Sequence, residues 1–267
     1  MLNERQARAW DELALGPQWL RRKAAQPPLD LHPAIREISD VQPEWTMEEG
    51  AHALPAPYLE QSVEIVSSDL SLEGQWMQVR QEVSGCRKCA LCESRNRTVF
   101  GSGPQGARWM LIGEAPGADE DASGEPFVGQ AGRLLDQMLM AIGLSRQHDV
   151  FITNVLKCRP PGNRNPEPLE AATCSPYLYR QIDLLQPDLI LLLGRFAVQS
   201  VLKTEASLSG LRRQVHRYVG SRGEIPVVCT YHPAYLLRNL TEKRKSWEDL
   251  CLAMDVAARQ AALRSPA

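Results

Sequence analysis

No apolar run in this 267-residue sequence exceeds five residues, Leu189 to Leu193 being one of them, whereas a helix needs about 20 to cross a bilayer. A membrane span is therefore not expected. The opening MLNERQARAWDELALG has charges inside its apolar pattern, unlike the unbroken apolar core of a secretory signal. The expected location is the cytoplasm. Aromatic residues make up only 6% of the chain, with four Phe, so one placed outside an apolar segment asks for a reason. The most telling scarcity is local: between Gly113 and Gly132 there is neither Lys nor Arg, while Glu114, Asp119, Glu120, Asp121 and Glu125 crowd the same stretch.

That stretch, MLIGEAPGADEDASGEPFVGQAG from Met110, reads as strand, loop and helix. Trp109 to Ile112 is a short apolar run suited to a buried parallel strand. Leu134, Leu135, Met138, Leu139 and Ile142 then recur at helical spacing between Gly129 and Gly143. A glycine-rich loop after a strand first suggests a phosphate cradle, but such loops place backbone N–H groups and a lysine around an anion. The missing basic residues exclude it. Carboxylates at the end of a buried strand suit water activation, metal binding or support of a developing positive charge, against the plain alternative of a solvated acidic loop. Phe127, an aromatic ring with little core to join in such a loop, suits stacking on a flat ligand.

At 43% hydrophobic the chain can bury a sizeable core. Its net charge of −2 conceals an asymmetry: residues 1 to 70 hold 12 acidic and 6 basic side chains, and the rest hold 20 and 24. The basic excess gathers late, with nine Lys or Arg against three Glu from Lys203 to Lys245. A polyanionic partner fits that region, and a solvated basic face is the simpler alternative.

Taken in order, residues 3 to 26 carry an amphipathic helical pattern with Trp10, Leu13, Trp19 and Leu20. Residues 27 to 69 hold six prolines, many acids and no sustained period, the composition of a tether that could carry a partner-binding segment. A folded domain is expected over 71–267, beginning with a helix whose apolar positions include Leu72, Trp76, Val79 and Val83. Further strands are expected at Val150 to Val155, Asp188 to Leu193 and Ile225 to Thr230. Helices follow them through Cys174 to Leu185, over Phe196 to Leu202, and from a cap at Thr241 to about Leu263. Alternating strands and helices predict an α/β fold: three layers, α/β/α, around a central four-stranded parallel sheet, with a proline-rich acidic N-terminal extension. In such sheets ligands bind outside the carboxyl ends of the strands. The acidic loop, Asn154 and His232 each follow a strand and so fall on one rim.

Seven cysteines in a cytosolic chain favour a metal site or buried thiols over disulfides. Cys86 and Cys89 have the spacing at which two thiolates reach one metal, and Cys158 and Cys174 flank a proline-rich loop. Two such pairs suit Zn²⁺ or a [4Fe–4S] cluster alike. Cys92 extends the first motif and competes as a ligand. Cys229 and Cys251 sit in apolar patterns and read as packing residues.

With these residues assembled, residues 75–262 resemble the family 4 uracil-DNA glycosylases, the iron–sulfur branch of that superfamily. The carriers are Cys86-x-x-Cys89, the loop from Gly113, TNVLKCRPPGNRNPEP from Thr153, the Cys158 to Cys174 spacing, and HPAYLLRN from His232. The resemblance implies a [4Fe–4S] cluster held by Cys86, Cys89, Cys158 and Cys174, leaving Cys92 out. It implies a substrate, uracil-containing DNA, whose target nucleotide is flipped into a pocket. There Phe127 would stack on the base, Asn154 would read its edge against cytosine, His232 would donate toward uracil O2, and backbone at Gly113, Glu114 and Ala115 would complete the pocket. The related family 1 enzymes carry a water-positioning aspartate where this chain has Ala115. Glu120 is therefore assigned to water and Glu114 to orienting the site. Tyr235, Leu236 and Arg238 would form the loop entering the minor groove, and the basic stretch would hold phosphates. Nothing transfers onto residues 1 to 70, where a protein partner is open, and a monomer is expected. The competing readings are a relative acting on deaminated purines, a non-catalytic iron–sulfur DNA-binding protein, and a divalent-metal nucleotide hydrolase.

Overall fold

A computed structural model describes residues 71–264; the expected N-terminal helix and tether lie outside the described residues. Five strands form one sheet: β1 (Trp109–Gly113), β2 (Val150–Asn154), β3 (Leu189–Leu193), β4 (Val215–Gly220) and β5 (Gly223–Thr230), in the order β2-β1-β3-β5-β4. The four expected strands are mutually parallel, as the strand–helix alternation required. The fifth, β4, was not anticipated. It pairs antiparallel with β5 through a tight turn at Ser221 and Arg222 and lies at the sheet edge, with every second residue exposed. Its polar, alternating VHRYVG lacks the continuous apolar run of a doubly covered strand.

Successive side chains of β1, β2 and β3 point to opposite faces and all are buried, so each strand feeds two cores. Met110, Ile112, Phe151, Ile190 and Leu192 join one cluster. Its helices are α1 (Leu72–Ser84), through Trp76 and Val79, and later in the chain Pro168–Leu185 and Arg195–Leu202. Leu111, Ile152, Leu189, Leu191 and Val228 join the other, under Gln130–Ala141 and Lys243–Arg264. In chain order the remaining helices are α2 (Leu91–Ser94), α3 (Ala118–Ser123), α4 (Gln130–Ala141), α5 (Pro168–Leu185), α6 (Arg195–Leu202), α7 (Leu208–Leu211), α8 (Pro233–Arg238) and α9 (Lys243–Arg264). The α/β/α layering is thus as predicted. Two local details differ. The acidic loop contains a helical turn, α3, and Thr241 lies in a 3₁₀ turn, Leu240–Glu242, ahead of α9 instead of capping it. Among the described residues no helix is long and apolar enough to cross a membrane.

Candidate active site

The parallel strands deliver their C-terminal ends to one rim. Gly113 and Asn154 are register partners at the ends of β1 and β2. Gly194 follows β3, and Tyr231 and His232 follow β5. A cleft of about 780 Å³ opens there, lined by Glu114, Phe127, Asn154, Arg195, His232 and Arg238 among others. Glu114, Phe127, Asn154, His232 and Arg238, singled out from separate motifs, therefore share one cavity.

Asn154 is 1% exposed, and among the described residues its side-chain Oδ1 has no hydrogen-bond partner. It lies against Gly113: a Cβ there would sit 2.4 Å from Asn154 Oδ1 and 2.6 Å from Phe127 Cζ. Only glycine lets the amide and the ring approach the strand end together. The Asn154 backbone is fixed from behind by Lys157, whose buried Nζ donates to Asn154 O at 2.8 Å, Thr153 Oγ1 at 2.6 Å and Gln181 Oε1 at 2.7 Å. Burial lowers the Lys157 pKa to about 7, a shift that negative charge on the neighbouring Cys174 and Cys158 sulfurs opposes when they are deprotonated.

Phe127 is buried and packs into the second core, so it has more core to join than the sequence suggested. One face meets the His232 ring, with centroids 5.4 Å apart and planes 30° from parallel. His232 caps α8, its Nδ1 accepting from Ala234 N at 3.1 Å. Nδ1 is then an acceptor, which leaves the proton of a neutral imidazole on Nε2. Burial, reinforced by the Arg238 charge and opposed by Glu120, lowers the His232 pKa to about 4. The ring is neutral at ordinary pH and offers a donor without a charge.

The carboxylates separate by environment. Glu120 accepts from three backbone N–H groups: Gly117 at 3.0 Å, Val128 at 2.9 Å and Gly129 at 3.1 Å. It holds the loop shut. Buried Asp121 accepts from Asn96 N, Asn96 Nδ2 and Arg97 N. Glu114 is different: it lines the cleft, and burial raises its pKa, with the Arg195 charge only partly offsetting this. A carboxyl whose charge is destabilised beside a ligand cavity is a candidate for chemistry.

In α8, Tyr235 stacks on Tyr231 with centroids 5.0 Å apart, and both line the cleft with Arg238. Leu236 does not belong with them. It is 1% exposed and packs in the second core with Leu134, Met138 and Trp247, so it cannot serve as a groove-entering wedge without unpacking the helix. Leu237, at 40%, and Leu240, at 63%, are the exposed apolar residues here.

In a separate pocket, Cys86, Cys89, Cys92, Cys158 and Cys174 gather with Arg95, Lys157 and Tyr177. Arg95 donates to Cys158 Sγ at 3.1 Å and to Cys86 O at 2.7 Å, and Lys157 N donates to Cys174 Sγ at 3.3 Å. Among the described residues no three His, Cys, Asp or Glu converge into a site for a single metal ion. Burial raises the Cys89 and Cys174 thiols and pushes Cys158 up to about 11. Uncompensated, these thiols stay protonated; a cationic metal centre would deprotonate them. Five thiols, Cys92 among them, thus share the pocket, and N–H donors are aimed at the Cys158 and Cys174 sulfurs, a thiol-rich lining that fits the expected cluster. Buried Cys229 and half-buried Cys251 sit within core packing as anticipated.

Residues 100–252 match the family model described as the uracil DNA glycosylase superfamily. The chain belongs to that superfamily. Within it, a type-4 uracil-DNA glycosylase from Archaeoglobus fulgidus is 45% identical over 161 residues, which are 59% of this chain and 80% of the relative. One from Thermotoga maritima is 41% identical over 162 residues, 60% and 82% of the two chains. A type-5 uracil-DNA glycosylase from Pyrobaculum aerophilum is 30% identical over 173 residues, 60% and 74%. The resemblance to the type-4 glycosylases is borne out, and in these three comparisons identity is higher to type 4 than to type 5.

Two supports of this glycosylase fold's rim had weak or no sequence signal. Lys157 has no sequence signal beyond lying between Asn154 and Cys158. Arg146, 19 residues from Phe127, donates to Phe127 O at 2.8 Å and Pro126 O at 2.9 Å. No local pattern links the two.

Proposed function

We propose that this protein hydrolyses the N-glycosidic bond of uracil in DNA, leaving an abasic site. The observation that carries the reading is the convergence of Phe127, Asn154 with its unpartnered Oδ1, and neutral His232 in one cleft. A flipped uracil supplies what each lacks. Its ring stacks on Phe127. Its N3–H donates to Asn154 Oδ1 while O4 accepts from the Asn154 amide; cytosine reverses both polarities. His232 Nε2–H donates to O2, where negative charge grows as the bond to the sugar breaks. Water delivery falls to Glu114, since Glu120 is occupied by three N–H groups, which revises the division expected from sequence. Leu237 and Leu240 replace Leu236 as the apolar wedge, beside Tyr235 and Arg238, with the late basic stretch on phosphates.

Cys86, Cys89, Cys158 and Cys174 would hold the [4Fe–4S] cluster, which supplies a structural tie between the turn after α1, the loop beyond Asn154 and α5. The reading includes a cytoplasmic monomer. A divalent-metal hydrolase is disfavoured because Glu120 and Asp121 already hold loop backbone.

The test is alkali-revealed cleavage of a single-uracil oligonucleotide in EDTA, with a cytosine control, alongside iron and acid-labile sulfide analysis. Uracil-dependent cleavage by iron-loaded protein, weakened or broadened toward cytosine by Asn154→Asp, supports the assignment. No cleavage by the loaded wild type refutes it.

A further inference from the structure

Phe127 holds its backbone at φ +55°, the left-handed region that bulky side chains avoid. Such a conformation persists only when its surroundings over-determine it. Two features do so here. Gly132, in the first turn of α4, admits the Phe127 carbonyl, since a Cβ there would lie 1.8 Å from Phe127 O. The Arg146 guanidinium spans two successive carbonyls, Nη1 to Pro126 O at 2.9 Å and Nη2 to Phe127 O at 2.8 Å. Its Nε donates to Asp136 Oδ1 at 2.8 Å, anchoring the fork to α4. The planar fork matches two fixed acceptors in a way a lysine ammonium cannot.

We propose that Arg146 is a positioning residue for base recognition: its two-carbonyl clamp fixes the Phe127 backbone so that the ring stays stacked against His232 as the platform for the flipped base. Arg146 does not line the cleft, so it acts through Phe127 and touches no substrate. The inference rests on the uracil-excision reading.

A double-mutant cycle tests it. Arg146→Gln and Phe127→Ala, singly and together, are compared for kcat/KM on a uracil oligonucleotide, for inhibition by free uracil, and for Tm. Arg146→Gln is expected to lower kcat/KM about tenfold to a hundredfold, the scale of a misplaced contact, and to weaken uracil inhibition. Arg146→Lys should restore little of either. In the Phe127→Ala background Arg146→Gln should change neither quantity further. Equal losses in both backgrounds, or a lower Tm with uracil inhibition unchanged, would overturn the clamp. Should Arg146→Gln fail to fold, Asp136→Asn removes only the anchor; it must weaken uracil inhibition in the same direction, and no change overturns the proposal. Wild type that leaves uracil in DNA sinks the underlying activity, whereas an active wild type with an additive cycle sinks only the clamp.

Discussion

Replacing Asn154 with Ala should separate activity from stability, because the side chain carries a cost in the folded protein that a bound base edge would relieve. Its Oδ1 is buried without a partner, a state worth about 1–3 kcal/mol against the fold. Deletion removes that cost. It also removes packing atoms, but the space left opens into the cleft instead of forming a closed void, so the packing loss stays at the low end of about 1–2 kcal/mol. The two contributions nearly cancel, and Tm should stay within about 4 °C of wild type for a domain of this size. Activity should behave oppositely. Two hydrogen bonds to the uracil edge vanish, each worth about 1–2 kcal/mol in a desolvated site. The resulting 2–4 kcal/mol corresponds to a loss of about 30-fold to 1000-fold in kcat/KM. Thermal melting and single-turnover cleavage of one oligonucleotide measure both quantities on one preparation. A Tm fall beyond about 8 °C, or an activity loss under about fivefold, would refute the reasoning, since Asn154 would then be a structural residue.

Burial, then the Arg238 charge, lowers the His232 pKa to about 4, against about 6.5 in the unfolded chain. Between those values the unfolded state binds more protons, so the contribution is fully present above pH 6.5 and lost as pH falls toward 4. His232→Gln should flatten that part of the Tm-against-pH curve, and an unchanged slope would argue against a buried neutral ring. Leu236→Ala should destabilise by about 2–5 kcal/mol as a core truncation. Leu240→Ala should leave stability within about 0.5 kcal/mol yet lower cleavage of duplex relative to single-stranded substrate; matching effects on both substrates would remove Leu240 as a wedge. Deleting residues 1 to 70 should leave cleavage of a short uracil oligonucleotide largely intact, and collapse of activity would make that segment part of the domain.

The four parallel strands were legible because a doubly covered strand must be apolar on both faces, and LILLL and WMLI are apolar runs of strand length. The rim followed from topology alone: Asn154 and His232 are 78 residues apart, yet each ends or follows a parallel strand. What was missed depended on tertiary context. The edge strand β4 offers only polar alternation. Leu236 and Leu237 are adjacent identical residues in one short helix, and only the packing of α8 against α4 decides which is core and which faces outward. Arg146 binds carbonyls, which any sequence has at every position, so no residue type near Phe127 announced it.

The acidic loop shows how a feature can be read correctly in kind and wrongly in detail. Five carboxylates beside a site proposed to bind a polyanion would repel it if all faced solvent. The structure spends two inward. Glu120 and Asp121 each gather backbone N–H groups, charge-assisted contacts that stabilise the loop and disperse its charge. Glu114, immediately after β1, is turned into the cleft where burial makes its charge costly. A carboxylate there gains most when positive character develops on a substrate beside it, as it does on a sugar losing its base. The same loop therefore needs several acids for its shape and one for its chemistry, and their burial and partners, not their spacing, distinguish the two uses.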